Sequence, residues 1–95
     1  MYVTVKFFAT LREITGKKEE KIKITENSTL NSLIEQLSKK YGTTFTDHIY
    51  KKGEGNINPT LQFLIDGTNV NALNGFKTKL KNGNVVVIIP PVGGG

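Results

Sequence analysis

The chain has 95 residues, which is enough for one compact domain and too few for a second hydrophobic core. It contains no cysteine, which excludes a disulfide framework, a thiol nucleophile, a cysteine-bound zinc ion and an iron–sulfur cluster. Thirteen lysines and arginines against eight acidic residues give a formal charge of +5, which permits an anionic partner. The alternating N-terminal residues do not resemble a signal peptide, and no apolar stretch approaches the length of a membrane span, so we expect a cytoplasmic location and no membrane partner.

The first predicted elements are two strands. Apolar residues alternate with polar ones over residues 3–7, which predicts a strand with its apolar face turned inward and Phe8 turned the other way. A loop is predicted around residues 12–16. Residues 20–25 alternate again, so the two strands are expected to form a hairpin with a long connection.

The next segment predicts one amphipathic helix. Large side chains recur at helical spacing along one face, at Leu30, Leu33, Ile34, Leu37 and Tyr41. Three candidate N-capping residues precede them, Asn27, Ser28 and Thr29, and Gly42 follows as a terminator. The apolar stripe of this helix must cover a sheet.

The remaining segments predict a loop and three more strands. Residues 43–58 are predicted to be a loop with one helical turn around Phe45 and Ile49. Three short strands are predicted at residues 61–65, 68–70 and 85–89, with tight turns at Asp66-Gly67 and Asn82-Gly83. The last of them is an uninterrupted β-branched run, typical of a central strand with a parallel neighbour.

Two hairpins that flank a helix, with the last strand returning to the middle of the sheet, predict an α+β fold of the ubiquitin-like β-grasp class. Right-handed crossover rules place the last strand parallel to the first, in a mixed sheet of four to five strands with the main helix packed on one face. The predicted boundaries are a β-grasp domain at residues 1–89 and a flexible C-terminal tail at residues 90–95.

The face of the sheet turned away from the helix is a candidate interaction surface. Alternation turns four large apolar side chains to this face: Phe8, Val85, Val87 and Ile89. An exposed apolar patch of this kind is typical of a binding site. The alternative is that the loop at residues 43–58 covers the patch.

The last six residues are a second candidate site. Pro90 and Pro91 remove two N–H donors and fix φ, so the chain should leave the sheet there as an extended arm. Val92 and then three glycines follow, and glycines can pass through a slot too narrow for any other residue. The α-carboxylate of Gly95 is the candidate reactive group. The alternative is a frayed terminus without a function.

Lysines form one basic run without intervening acids, at Lys77, Lys79 and Lys81. This run is either a docking patch or a solvated strand face. No aromatic residues alternate with these lysines, so base stacking and a nucleic-acid partner are not expected there.

No constellation typical of catalysis or metal binding is present. His48 is the one histidine, so it has no second histidine or cysteine with which to bind a metal ion, and a solvated or core-edge position is expected for it. Glu13 has no carboxylate partner at a spacing typical of acid–base catalysis. The Gly53-Glu54-Gly55 loop lacks the lysine and serine of a phosphate-binding loop. We expect a chain without intrinsic catalysis, bound metal or bound cofactor.

Two segments carry a resemblance to a known family. Residues 7–16, Phe-Phe-Ala-Thr-Leu-Arg-Glu-Ile-Thr-Gly, and residues 88–95, Ile-Ile-Pro-Pro-Val-Gly-Gly-Gly, resemble the small subunit of molybdopterin synthase and its archaeal ubiquitin-like modifier relatives. This group includes the MoaD and ThiS sulfur carriers. Residues 64–67 are also similar, and the resemblance is weakest at residues 43–58.

The resemblance implies a carrier whose chemistry is supplied by its partners. A ubiquitin-activating-type enzyme would adenylate Gly95 with ATP, and sulfur transfer would give a thiocarboxylate. The thiocarboxylate would donate sulfur to a pterin precursor at the molybdopterin synthase large subunit. Gly93 and Gly94 would thread the channel of the partner. Phe8 and Ile89 match the apolar contact surface of the family, as strand alternation also indicates.

The other predicted interface residues surround Phe8 and Ile89. They are Val87, Pro90, Pro91 and Val92, with Arg12 as a candidate for a polar contact at the rim. Two departures from the family pattern leave the identity of the activating enzyme and the synthase subunit open. Gly93 stands where the family commonly has serine or threonine, and Asn84 and Val85 stand where it commonly has acidic residues.

Three functional hypotheses remain. The first is a sulfur carrier for molybdopterin synthesis, with tRNA thiolation or thiamin synthesis as other destinations of the sulfur. The second is a protein modifier joined through Gly95 to lysines of target proteins. The third is a basic RNA-associated β-grasp module, which would bind nucleic acid in a salt-dependent way without needing Gly94 and Gly95.

Overall fold

The computed structural model describes residues 1–51 and 55–90, and it forms one sheet with helices packed on one side. The strands are β1 (Tyr2–Phe7), β2 (Glu19–Lys23), β3 (Gln62–Ile65), β4 (Thr68–Asn69) and β5 (Val85–Ile89). The helices are α1 (Thr10–Thr15), α2 (Leu30–Tyr41) and α3 (Thr43–Ile49). Two 3₁₀ turns, Val70–Ala72 and Gly75–Lys77, lie between β4 and β5.

The sheet is mixed, with the strand order β2-β1-β5-β3-β4. Strand β1 is antiparallel to β2 and parallel to β5, and β3 is antiparallel to both β5 and β4. The last strand therefore lies in the centre beside a parallel neighbour, as its β-branched run predicts.

Helix α2 begins and ends where the sequence predicts. Thr29 is its N-cap, and a capping box joins Thr29 to Ser32, whose N–H donates to Thr29 Oγ1 over 3.2 Å. Gly42 ends the helix with a φ of 79°, in the region that favours glycine. Four side chains of the predicted stripe are buried against the sheet: Leu30, Leu33, Ile34 and Leu37. No helix within residues 1–51 and 55–90 is both long and apolar enough to cross a membrane.

The connection between β1 and β2 contains a helix that the sequence did not predict. Residues 12–16, predicted as a loop, belong largely to α1, which ends at Gly16 with a φ of 72°. Leu11 is buried in the core, and the buried hydroxyl of Thr15 donates to the Leu11 carbonyl oxygen over 2.9 Å. A six-residue helix is too short for a helical period to show in the sequence. Arg12 therefore lies on a helix.

The segment at residues 43–58 begins with a full helix instead of a single turn within a loop. Phe45 and Ile49 of α3 are completely buried. The ring of Phe45 meets the ring of Phe7 edge-on, with 6.3 Å between centroids, and packs at 5.6 Å from the ring of Tyr41. Helix α3 thus completes the core on the same side of the sheet as α2.

A polar cluster joins β2 to α2 on the helix side of the sheet. The Glu20 carboxylate accepts hydrogen bonds from the Tyr41 hydroxyl and the Lys40 ammonium, and Lys17 Nζ lies 3.4 Å from Glu20 Oε2. Burial disfavours the ionised carboxylate, but the bonds from Lys40 and Tyr41 and the charges of Lys40 and Lys17 outweigh it and lower the pKa of Glu20. Burial, and then the bond and charge of Glu20, raise the pKa of Tyr41.

Candidate functional site

The open face of the sheet, turned away from the helices, is defined by the alternation along β5. Val86 and Ile88 are completely buried under the helices. Their neighbours Val85, Val87 and Ile89 point to the opposite face and are half-buried. The predicted division of β5 between the two faces is therefore confirmed.

Phe8 lies beside Ile89 at one end of the open face. Phe7 pairs with Ile88 on the parallel strand, so the next residue of each strand follows at the same end of the sheet. Phe8 remains 39% exposed. The Arg12 guanidinium stands 5.4 Å from the Phe8 ring centroid, and Arg12 Nε donates to the Phe7 carbonyl oxygen over 3.3 Å. Helix α1 thus brings Arg12 to the predicted interface residue Phe8.

Helix α3 does not cover the open face. Its apolar residues Phe45 and Ile49 are buried on the helix side, and the half-buried Tyr50 and Ile57 pack against the same core. For the described residues of the 43–58 segment, the alternative that this segment covers the patch is therefore wrong. The patch stays open on the described surface.

Strand β5 leads directly into the predicted tail. Pro90 is half-buried and lines a cavity of about 200 Å³ together with Thr10, Leu11, Asp47, His48, Asn58 and Leu61. Because Pro90 follows Ile89, it stands at the same end of the sheet as Phe8. The other predicted tail residues, Pro91, Val92, Gly93, Gly94 and Gly95, lie outside the described residues.

His48 is exposed on α3, at the rim of this cavity. Its Nδ1 lies 3.0 Å from the carbonyl oxygen of Thr44, which can only accept, so Nδ1 carries the proton in this contact. Glu13 is exposed on α1. In the part of the chain that the structure describes, no three His, Cys, Asp or Glu side chains are grouped so that they could hold a metal ion. Gly53 and Glu54 lie outside that part.

Sequence reasoning missed Leu64 and the lysines that share the open face. Leu64 is half-buried and pairs with Val87, so it extends the apolar patch onto β3. On β1, Lys6 pairs with Val87. On β2, Lys21 pairs with Thr4, which lies two residues before Lys6 on β1. The signal for Leu64 was the alternation within residues 61–65. Alternation within β1 and β2 assigns the lysines to this face, but their positions relative to Val87 follow only from the register of the strands.

Asn84, one of the departures from the family pattern, has a structural role in the turn before β5. Its Nδ2 donates to Asp66 Oδ2 over 2.6 Å, and its Oδ1 accepts from the Lys81 N–H over 2.6 Å. Asp66 Oδ1 accepts in turn from the Val85 N–H over 2.8 Å. A carboxylate at position 84 would face Asp66 with a like charge and without a donor.

Comparison with known proteins agrees with this architecture. The ThiS family model matches residues 5–95. The chain is 30% identical over 95 residues to small archaeal modifier protein 3 of Haloferax volcanii, with the whole of both chains aligned. It is 34% identical over 70 residues to an Archaeoglobus fulgidus protein assigned as a sulfur carrier, over 74% of this chain and 77% of that protein.

Two solved structures have the same fold. The solution structure of small archaeal modifier protein 1 from Methanosarcina acetivorans is 31% identical, covers 99% of this chain and 96% of its own, and has a TM-score of 0.85. A Pyrococcus furiosus protein assigned as subunit 1 of a molybdopterin converting factor is 28% identical, covers 97% and 99%, and has a TM-score of 0.76. The predicted ubiquitin-like β-grasp fold is confirmed. The chain belongs to the ThiS family of ubiquitin-like sulfur carriers and modifiers.

Proposed function

We propose that the chain is a sulfur carrier whose reactive group is the α-carboxylate of Gly95. A carboxylate is a poor electrophile, so it must first be activated. A ubiquitin-activating-type enzyme would let a carboxylate oxygen of Gly95 attack the α-phosphorus of ATP and release pyrophosphate. Hydrosulfide from a sulfur donor would then attack the acyl carbon, displace AMP, lose its proton and leave a thiocarboxylate. ATP is therefore a substrate of the partner, and the proposal places the reaction in the cytoplasm.

The observation that supports this proposal is the position of Pro90. It follows Ile89 at the end of the central strand, beside the exposed ring of Phe8. A partner that binds Phe8, Val87 and Ile89 would therefore meet the start of the tail, with Arg12 as a polar contact. In this proposal residues 1–89 form the folded domain, and Pro90, Pro91 and Val92 join it to the glycines.

The proposed destination of the sulfur is molybdopterin. The chain would act as the small subunit of molybdopterin synthase, and Gly93 and Gly94 would thread the active-site channel of the large subunit, where a side chain would clash. The similarity to the Pyrococcus furiosus protein assigned as a molybdopterin converting factor subunit supports this destination. The carrier itself would contribute no catalytic group and no cofactor.

The second candidate function is protein modification. The similarity to two small archaeal modifier proteins, one of them over the full length of both chains, supports it. Both functions share the adenylation of Gly95 and differ in the nucleophile. In modification, a lysine amine of a target protein would attack the activated carbonyl and form an isopeptide bond.

Intact-mass analysis tests the proposal. The chain is incubated with an extract of its source organism, ATP and a sulfur donor, and a sulfur carrier acquires the mass of an oxygen-to-sulfur exchange at Gly95. Trypsin cuts after Lys81, so the C-terminal peptide runs from Asn82 to Gly95 and localises the change. A modifier instead leaves this peptide as a branch on lysines of other proteins.

A chain without Gly94 and Gly95 is the matched control and should show neither product. A thiocarboxylate-forming relative from the same organism verifies that the extract is active. If that relative reacts while the wild-type chain gives neither product, both candidate functions are wrong.

A further inference from the structure

The open face combines an apolar centre with positive charge. Its centre consists of the half-buried Val87, Ile89 and Leu64, with the exposed ring of Phe8 at one end. Four cations stand around the centre: Lys6, Lys21 and Lys23 on the strands, and Arg12 over the ring of Phe8. Among the strand residues that face the open side, one is acidic: Glu19, which pairs with Lys6.

Within residues 1–51 and 55–90, none of these four cations forms an ion pair. Both ion pairs found there end on Glu20, on the helix side of the sheet. Lys21 Nζ stands 5.0 Å from the ring centroid of Tyr2, so an aromatic ring rather than a carboxylate orients it.

The acid nearest to the start of β5 is already engaged. Both oxygens of Asp66 accept hydrogen bonds, one from Asn84 and one from the Val85 N–H. Positions 84 and 85, at the start of β5, carry no acidic residue.

We propose that the open face docks the adenylating enzyme through an enzyme surface with an apolar centre and a rim of carboxylates. This inference rests on the proposed function, because a sulfur carrier and a modifier both need such an enzyme before Gly95 reacts. Phe8 and Ile89 fill the apolar centre, and Lys6 and Lys21 meet the carboxylates. Charges in this arrangement mainly steer association and give it a strong salt dependence.

A protein partner fits this face better than a nucleic acid. Single-stranded nucleic acids bind where aromatic rings are free to stack with bases. Here Arg12 stands over the ring of Phe8 and Lys21 over the ring of Tyr2, and the centre between them is aliphatic. A second copy of the chain fits poorly as well, because pairing two such faces would bring like charges together.

The test measures the rate of association with the purified adenylating enzyme of the source organism, without ATP, at low and high salt. The variant is Lys6→Glu with Lys21→Glu. The matched control is Lys77→Glu with Lys79→Glu, which changes the net charge equally. Lys77 closes the 3₁₀ turn that packs against α2, and Lys79 lies beside Thr29, so both stand on the helix side of the sheet.

We expect the open-face variant to associate about tenfold more slowly than wild type at low salt and to lose most of its salt dependence. The control should stay near wild type. Circular dichroism verifies the fold, and Lys6→Gln with Lys21→Gln replaces the variant if the glutamates prevent folding. Equal effects of the variant and the control would overturn the proposal, as would a larger effect of the control, which would make the basic run the docking site.

Two further measurements have outcomes that contradict the proposal. If the wild-type chain binds total tRNA of the source organism and only that binding is lost in the open-face variant, the face is a nucleic-acid surface. If sedimentation shows a wild-type dimer that the variant abolishes, the face is a self-association surface. If the wild-type chain is thiocarboxylated but the open-face variant associates with the adenylating enzyme as fast as wild type does, this inference is wrong and the proposed function still stands.

Discussion

On the helix side of the sheet, the Glu20 carboxylate is bound by Tyr41, Lys40 and Lys17, whereas on the open side Lys6 and Lys21 have no ion-pair partner in the described chain. The apolar residues differ in the same way, because side chains of β5 that face the helices are completely buried and those on the open side are half-buried. The Glu20 carboxylate thus has its partners within the chain, whereas the two lysines and the apolar side chains of the open side stay accessible. Alternate residues of the same strands thus differ in environment, with one set buried in the core and the other accessible to solvent.

The strongest test of this comparison uses two neighbouring isoleucines of β5. Replacing the completely buried Ile88 by alanine removes core contacts and leaves a cavity, so we expect the free energy of unfolding to fall by about 2–5 kcal/mol. Replacing the half-buried Ile89 by alanine should lower it by about 1 kcal/mol, because less apolar surface returns to water.

Urea unfolding of the two alanine variants measures this difference. The Ile89→Ala variant, which should lose little stability, is expected to lose binding to the adenylating enzyme. Equal losses of stability would show that the two faces do not differ as described.

The next largest effect is expected at Glu20. Glu20→Gln removes the charge that Lys40, Lys17 and Tyr41 surround and should lower the free energy of unfolding by about 1.5–3 kcal/mol at neutral pH. Its neighbour Glu19, exposed on the other face, provides the control, and Glu19→Gln should change stability little.

Glu20 should also make the free energy of unfolding depend on pH. The pKa of Glu20 in the folded chain lies below its ordinary value of 4.5. The contribution of Glu20 to stability is therefore fully present above its pKa in the unfolded chain. It is lost as the pH falls through its lower pKa in the folded chain. Urea unfolding between neutral and acidic pH should show a smaller decline for Glu20→Gln than for wild type. Parallel declines would contradict the role of the cluster.

A smaller effect is expected at the turn that starts β5. Asn84→Asp replaces the donor to Asp66 by a second carboxylate and should lower the free energy of unfolding by about 1–2 kcal/mol. Asp66→Asn in the same chain should recover part of this loss, because an amide at position 66 can donate to the new carboxylate. Thermal unfolding of both single variants and the double variant measures the coupling. Additive losses would show that the two side chains act independently.

The smallest effect is expected at Ala9, where the chain turns from β1 into α1. Ala9 has a φ of 50° and a ψ of −124°, a conformation that glycine adopts more easily. Ala9→Gly should relieve strain but make the unfolded chain more flexible, so we expect a gain in the free energy of unfolding below about 1 kcal/mol. Thermal unfolding measures it. A loss of stability would mean that the strain at Ala9 is negligible.

Most of the fold could be predicted because its strongest signals are periodic. The twelve residues of α2 and the β-branched run of β5 extend over enough residues for their periods to be read. Helices α1 and α3 have six and seven residues, and their formation depends on burying Leu11, Phe45 and Ile49 against residues distant in sequence. The four-residue spacing of Phe45 and Ile49 indicates a single helical turn, and the tertiary contacts that extend it leave no further local pattern.

The residues of the candidate site also differ in whether local sequence patterns could predict them. Phe8 and Ile89 follow from strand alternation, which is local. The contact between Arg12 and Phe8 depends on the unpredicted helix α1, and the grouping of lysines around Val87 depends on the register of β1 against two neighbours. Alternation alone turns these lysines to the open face, but register is set by long-range pairing, so their grouping around Val87 could not be read from the sequence.

The central position of β5 has a mechanical consequence. A partner that draws the tail into a narrow channel would pull on β5 along its own axis. Strand β5 is hydrogen-bonded to β1 on one side and to β3 on the other, and such a pull loads both ladders in shear rather than opening them one bond at a time. The strand that leads into the tail is thus anchored by the sheet on both sides.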